Sequence, residues 1–152
     1  LGTFVAFPFG RLRAEVLAAL ARLGAALRLT PWRMLLVEGV DVIPGLPGLI
    51  LDPADARLRV DACTGAPDCP QGHAPVRALA LALAPHVPPG TRLHVSACAK
   101  GCAHPAPAEV TLVAGPAGFG LIRDGAASEP PHCRDLDPEV LIRHPDRIFA
   151  KP

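Results

Sequence analysis

Cys63-Thr-Gly-Ala-Pro-Asp-Cys69 and Cys98-Ala-Lys-Gly-Cys102 are the two stretches from which the fold of this chain can be argued. Each follows a β-prone run, Leu58–Ala62 for the first stretch and Arg92–Ala97 for the second. The residues between them predict a helix that begins near Pro75. Two loops that leave the same edge of one sheet would bring four thiols to one point, so this part of the chain predicts a cysteine-rich binding site.

The residues around these loops carry regular apolar patterns. The predicted helix has one apolar face, made of Val76, Leu79, Ala80 and Leu83. In Arg92–Ala97 apolar and polar residues alternate, which predicts a half-buried strand. Val110–Ala114 and Phe119–Arg123 flank a Gly-Pro-Ala-Gly turn and predict a β-hairpin.

The N-terminal part predicts a second group of elements. Thr3–Phe9 is β-rich, and residues 12–29 follow as a predicted amphipathic helix. Arg33–Val37 is a second apolar run that predicts a strand. Strand, helix and strand within this distance predict a crossover unit on a sheet. The apolar stripe of the helix is interpreted as core, with no cofactor implied; it comprises Val16, Leu20, Leu23 and Leu27.

These patterns predict an α+β chain in three parts. Residues 1–52 form the first lobe, residues 53–125 the cysteine-bearing lobe, and residues 126–152 a Pro-rich C-terminal tail. The tail holds one predicted short helix, with Asp137 as its N-cap and Pro138 at its first position.

Composition excludes several functional classes. Fifteen basic and 14 acidic side chains give a formal net charge of +1, so neither nucleic acid nor an acidic membrane surface is an expected partner. No apolar stretch reaches the roughly 18–20 residues that a membrane-spanning helix needs. No signal peptide is visible, so we expect a cytoplasmic protein.

Five cysteines in a chain without an export signal indicate metal ligands before disulfides. Four thiolates suit a [4Fe–4S] cluster and equally suit structural zinc, and disulfides or unpaired thiols are the third alternative. The C-x5-C spacing is longer than that of common zinc knuckles. Gly65, Gly72 and Gly101 would let backbone approach inorganic sulfur closely. Cys133 is interpreted as an incidental thiol.

A C-x5-C loop followed, after a helix, by a C-x3-C loop is similar to the cluster motif of the siroheme-containing sulfite and nitrite reductases. Arg28-Leu-Thr-Pro-Trp-Arg-Met-Leu-Leu-Val37 resembles the entry to that superfamily's ferredoxin-like half-repeat. The match covers about residues 2–125. Leu29-Thr-Pro-Trp-Arg33, Ala62-Cys-Thr-Gly-Ala-Pro67 and Ser96-Ala-Cys-Ala-Lys-Gly-Cys-Ala-His-Pro105 resemble one branch, the precorrin-3B synthase family.

This resemblance implies a ferredoxin-like βαβ lobe beside a sulfite/nitrite reductase-like α/β lobe. It also implies an oxygen-dependent oxidoreductase that converts precorrin-3A to precorrin-3B by C20 hydroxylation and γ-lactone formation in aerobic cobalamin biosynthesis. The implied cofactors are a [4Fe–4S] cluster and a mononuclear non-haem iron, and an electron donor and dioxygen are implied partners. Carried over by motif, the implied cluster ligands are Cys63, Cys69, Cys98 and Cys102.

A carboxylate-rich tetrapyrrole needs cations in its pocket, and Arg33, Lys100 and His104 are the candidates closest to the matched motifs. His104 could instead ligate iron, although the sequence shows no accompanying set of carboxylates and histidines. His73 is expected to cap a helix or face solvent, and His94 to point into a pocket or to water.

Two alternatives stay open. The chain could be a fragment of a siroheme-dependent sulfite or nitrite reductase, or a non-catalytic module that binds zinc or a cluster. Proteins of this superfamily are built from two related halves, and the chain resembles the second. The resemblance therefore implies the missing N-terminal half as a further partner.

Overall fold

The computed structural model describes residues 1–150, which divide into two compact units. The first unit is Leu1–Leu58 and the second begins at Arg59. A three-stranded sheet organises the first unit and a five-stranded sheet the second. The predicted mixture of helices with sheets is therefore confirmed. Among the helices of residues 1–150, none combines the length and apolar character needed to cross a membrane.

The first unit contains three strands and one α-helix. They are β1 (Gly2–Ala6), α1 (Ala14–Ala21), β2 (Leu27–Leu29) and β3 (Met34–Glu38), with a short 3-10 helix at Pro8–Gly10. β3 lies between β1 and β2 and is antiparallel to both. β1 and β2 are therefore parallel, and α1 connects them across the inserted β3. This is a split βαβ arrangement.

The predicted helix over residues 12–29 is wrong at its C-terminal end. α1 ends at Ala21, and Gly24 follows with a φ of 68° and donates its N–H to the carbonyl of Ala21 at 3.1 Å. Glycine in this left-handed conformation terminates a helix, because it redirects the chain without a Cβ penalty. The strand that follows the helix in the crossover unit is therefore β2, and not the strand predicted at residues 33–37.

The apolar stripe of the first unit is nevertheless core. Val16 and Leu20 of α1 are buried with Val5, Leu35 and Val37 of the sheet. Leu23 and Leu27 pack against this core as half-buried side chains. Leu27 reaches the core from β2, so a continuous helical stripe in the sequence corresponds to a helix, a turn and a strand.

The second unit begins with a parallel βαβ unit and continues as an antiparallel meander. Its strands occur in the order β4-β5-β6-β7-β8, with β4, β5 and β6 parallel and the last two pairings antiparallel. Its strands and α-helices are β4 (Val60–Ala62), α2 (Arg77–Leu83), β5 (Leu93–Ser96), β6 (Ala108–Gly115), β7 (Gly118–Gly125), β8 (Cys133–Leu136), α3 (Pro138–Arg143) and α4 (Asp146–Phe149). A 3-10 helix, Ala84–His86, follows α2. Another, Ala56–Arg59, precedes β4 and ends at the first residue of this unit.

Several local predictions for this unit are confirmed. The predicted apolar face of α2 is fully buried, and β6 and β7 form the predicted hairpin. Asp137 caps α3, since its carboxylate accepts the N–H of Glu139 at 2.7 Å. The region predicted as a Pro-rich tail also supplies β8, the fifth strand of the sheet.

β5 departs from its predicted pattern, because all four of its residues are buried instead of every second one. It lies between β4 and β6, so its polar residues His94 and Ser96 are enclosed with the apolar ones. Interior strands of parallel sheets are covered on both faces, which accounts for the difference.

Candidate functional site

The four predicted ligand cysteines lie at one edge of the five-stranded sheet. Cys63 directly follows β4, and Cys98 follows β5 by two residues. β4 and β5 are parallel neighbours, with Ala62 opposite Val95, so both loops leave the sheet at its carboxyl edge. A cavity of about 290 Å³ is lined by the cysteines of both loops and by Lys100; its cysteines are Cys63, Cys69, Cys98 and Cys102.

The thiols surround this cavity without meeting at a single point. All five cysteines of the chain are free thiols; Cys63, Cys69 and Cys98 are half-buried, and Cys102 is exposed. Within residues 1–150, no group of three or more His, Cys, Asp or Glu side chains is arranged to hold a metal ion. The structure thus places the predicted ligands around a common space but does not show a metal centre.

Backbone hydrogen bonds connect the two cysteine loops. The N–H of Ala97 donates to the Sγ of Cys63 at 3.3 Å, and the carbonyl of Ala97 accepts the N–H of His73 at 2.9 Å. The hydroxyl of Ser96 donates to the carbonyl of Cys98 at 2.7 Å. These contacts hold the C-x5-C loop and the C-x3-C loop against each other.

Two glycines allow the first loop to fold tightly. A Cβ on Gly72 would lie 2.8 Å from the backbone nitrogen of Ala66 and 3.2 Å from the Cβ of Ala97. Gly65 has a φ of 73°, and its Cβ would lie 3.0 Å from the carbonyl oxygen of Ala74. The sequence predicted that Gly65 and Gly72 make room for inorganic sulfur. In the structure, the close contacts that require glycine at these positions are with the protein itself.

The predicted substrate-binding cations are distributed over both units. Lys100 is exposed and lines the cysteine cavity. His104 is half-buried and follows Cys102 by two residues. Arg33 belongs to the first unit, where it is exposed in the turn before β3 with a φ of 59°, and its side chain lies over Gly10. The structure brings Lys100 together with the four cysteines.

His73 and Cys133, for which the sequence predicted no ligand role, are both exposed. His73 is exposed, in agreement with the prediction that it faces solvent or caps a helix. Cys133 is an exposed residue of the edge strand β8 and does not line the cysteine cavity.

A group of charged and polar side chains lies together beside the second loop, and the sequence did not predict that they meet. Asp61 of β4 is fully buried, and its Oδ2 lies 2.6 Å from the guanidinium NH1 of Arg92 and 3.6 Å from the Nδ1 of His104. The ring of His94 lies edge-on to that of His104, with centroids 5.8 Å apart. We refer to Asp61, Arg92, His94 and His104 as the polar block. An aspartate inside an apolar strand was the one signal in the sequence that could have revealed it.

His94 is the most unusual member of the polar block. It is fully buried, and neither ring nitrogen has a hydrogen-bond partner within residues 1–150. Burial, together with the neighbouring His104, lowers the pKa of His94 to about 4, a shift that Asp61 opposes. The ring is therefore neutral at physiological pH.

This burial predicts a pH-dependent stability. The unfolded His94 takes up a proton near pH 6.5, whereas the folded one does so only near pH 4. The unfolded state therefore binds more protons between these two pH values. The free energy of unfolding is highest above pH 6.5 and falls by about 2 kcal/mol as the pH decreases towards 4. Urea unfolding at pH 7.0 and 4.5 measures it.

His94→Leu is the matched variant for this measurement, because it fills the buried position with an apolar side chain of similar size and removes the titrating group. We expect its free energy of unfolding to change less between the two pH values than that of the unmodified chain. Equal changes in both proteins would contradict the assignment.

Comparisons with known proteins agree with this fold. No family model matches the chain. A curated precorrin-3B synthase from Sinorhizobium sp. is 33% identical over 137 residues, which cover 79% of this chain and 30% of that protein. The chain therefore spans about a third of the length of this relative. The solved structure of the Mycobacterium tuberculosis NirA protein superposes with a TM-score of 0.63 at 22% identity, covering 95% of this chain and 34% of that one.

Proposed function

We propose that this chain, which is similar in sequence to a precorrin-3B synthase and in fold to the NirA protein, is the iron–sulfur-binding module of a tetrapyrrole oxidoreductase. The observation that carries the proposal is the cavity lined by all four motif cysteines. The relationship and the cavity are independent, since one rests on sequence identity and the other on the parallel pairing of β4 with β5.

The donor set fits a metal–sulfide cluster. It consists of thiols alone, which select iron–sulfur clusters or zinc. A single zinc ion with Zn–S bonds of about 2.3 Å holds its sulfurs within roughly 4 Å of one another. A cavity of about 290 Å³ that all four thiols line has room for a polynuclear group, which bridges thiols standing further apart than those of a single-ion site. We therefore assign Cys63, Cys69, Cys98 and Cys102 as ligands of a [4Fe–4S] cluster.

The residues around the cavity would orient and tune this group. When bound, a [4Fe–4S] cluster stores and delivers electrons one at a time. The N–H of Ala97 orients the Sγ of Cys63, and the hydroxyl of Ser96 holds the carbonyl of Cys98 in place. Cys102 is exposed, so a substrate or an electron donor could approach the bound cluster at this ligand.

In the proposed reaction, precorrin-3A is hydroxylated at C20 and closed to a γ-lactone to give precorrin-3B, with dioxygen and an electron donor as co-reactants. The mononuclear non-haem iron of the family is part of this proposal, and its ligands are not assigned. Lys100, which lies beside the cavity, would pair with a substrate carboxylate. We retain His104 and Arg33 as further cations for the carboxylates of the substrate.

Lys100→Ala tests the substrate class. We expect the reconstituted chain to bind uroporphyrin, a polycarboxylated porphyrin, and the variant to bind it about tenfold more weakly, since one charge-assisted contact contributes roughly 1.5–3 kcal/mol. Absorbance titration measures the dissociation constant. Arg11→Ala removes an exposed cation of the first unit and serves as the control, with unchanged affinity expected.

Equal affinities for the Lys100 and Arg11 variants would contradict the assignment of Lys100. Siroheme retained in place of a cluster-only spectrum would indicate a sulfite or nitrite reductase module instead. Zinc without acid-labile sulfide would indicate a non-catalytic binding module.

A further inference from the structure

The buried polar side chains of this protein are concentrated behind the cysteine loops. Within residues 1–150, the fully buried polar and charged side chains belong to Asp61, His94, Ser96 and Thr111. They lie on β4, β5 and β6, three neighbouring strands of one sheet. Enclosing such groups costs free energy unless they are well partnered, so their clustering at one edge calls for a physical reason.

Asp61 is connected to both cysteine loops. It precedes Cys63 by two residues of extended chain, a distance of about 7 Å. Its carboxylate also lies 3.6 Å from the Nδ1 of His104, which follows Cys102 by two residues. The ion pair with Arg92, at 2.6 Å, holds the carboxylate at the start of β5, the strand that leads to Cys98. The carboxylate of Asp61 thus contacts residues on both sides of the C-x3-C loop and lies next to the start of the C-x5-C loop.

His94 supports the second loop from inside the sheet. It is the register partner of Asp61 on the adjacent strand. Gly101, between Cys98 and Cys102, has a φ of 64°, and a Cβ there would lie 3.7 Å from the Cε1 of His94. The loop therefore rests on a neutral ring, while Asp61 contacts the residue that leads out of it.

We propose that Asp61 is a positioning residue, which fixes the C-x3-C loop against the C-x5-C loop and whose negative charge lowers the reduction potential of the bound cluster. The proposal rests on the proposed function, since it requires a cluster at the four cysteines. The potential of an iron–sulfur cluster depends on nearby net charge and on hydrogen bonding around its sulfurs. A buried charge is screened less than an exposed one, and this gives Asp61 its influence.

Asp61→Asn in the anaerobically reconstituted chain tests this role. The amide keeps the size of the side chain and removes its charge, so the positive charge of Arg92 is no longer paired with Asp61. We expect the variant to bind iron and sulfide as the unmodified chain does. Its one-electron reduction should become roughly tenfold more favourable, an upward shift of about 59 mV in midpoint potential. Spectroelectrochemical titration gives the potential, and electron paramagnetic resonance of the reduced cluster gives its signature.

Thr111→Val is the matched control. Thr111 is buried on the same sheet opposite His94, and its hydroxyl donates to the carbonyl of Gly125, so its side chain is uncharged and already partnered. The control removes one buried hydrogen bond, so it can lower stability, but we expect an unchanged potential. An equal shift in Asp61→Asn and Thr111→Val would show a general packing effect and overturn the proposal.

His104→Gln supplies a second test if Asp61→Asn does not fold. It removes the contact between the imidazole Nδ1 and Asp61 at a partly exposed position. We expect the cluster of this variant to lose iron to a chelator at least fivefold faster, because the exit of the C-x3-C loop is no longer held. Iron loss at the rate of the unmodified chain would overturn the proposal. An unmodified chain that binds no cluster would instead refute the proposed function.

Discussion

Serine in place of any one of Cys63, Cys69, Cys98 or Cys102 is expected to abolish stable cluster binding, whereas Cys133→Ser retains the full iron and sulfide content. All four residues line one cavity, and an alcohol is a far poorer ligand for iron than a thiolate. Absorbance near 400 nm and iron analysis after anaerobic reconstitution and desalting measure the outcome. We expect the iron content of each of the four variants to fall at least fivefold.

Cys133→Ser makes this comparison specific, because it removes a free thiol from the edge strand β8 without touching the cavity. Similar iron loss in all five variants would indicate that the thiols bind iron adventitiously. A variant of Cys102, the exposed member of the set, that retains the cluster would contradict its assignment as a ligand.

Leu93→Ala is expected to cost about 3 kcal/mol of the free energy of unfolding. Leu93 is completely buried on β5, between Val60 of β4 and Val110 of β6, which are both buried as well. Truncating a buried leucine to alanine removes apolar contacts and leaves a cavity, at a cost of roughly 2–5 kcal/mol. Urea unfolding followed by circular dichroism gives the free energy and the slope with denaturant.

Leu81→Ala is the control for this loss. Leu81 lies on α2, but it is 43% exposed. We expect the control to cost less than about 1 kcal/mol, because little buried surface is lost. Equal destabilisation by both substitutions would show that β5 is not the interior strand that leads to the C-x3-C loop.

The position of both cysteine loops at one edge of the sheet was predictable, because it depends on local signals and one rule of connectivity. Pro75 and the apolar face of residues 76–83 identified a helix between two strands, and a helix between adjacent strands makes them parallel. Parallel strands end at the same edge, which places the C-x5-C loop beside the C-x3-C loop. The N-cap of α3 was predictable for the same reason, since Asp137 and Pro138 act within one turn.

The polar block was not predictable, because it depends on contacts between residues far apart in sequence. The alternation in Arg92–Ala97 indicated that His94 and Ser96 would face a partly open side of the sheet. Their burial follows from the position of β5 between β4 and β6, which only the strand order reveals. Asp61 and His104 are separated in sequence by both cysteine loops, α2 and β5, so their proximity has no local signature.

The βαβ unit of the first lobe shows a further limit of periodicity. Leu23 and Leu27 continue the stripe of α1 and pack on the same core, yet Gly24 ends the helix and Leu27 belongs to β2. The apolar stripe at helical spacing therefore predicted correctly which residues face the core, but it did not predict where the helix ends. The left-handed conformation of Gly24 decides the element boundary.

Iron, zinc and acid-labile sulfide content of the anaerobically reconstituted chain tests the central claim most directly. We predict about four irons and about four sulfides per chain, with no zinc, as expected for a [4Fe–4S] cluster held by four thiolates. One zinc per chain without sulfide, or no bound metal after reconstitution, would contradict the assignment of the cysteine cavity as a cluster site.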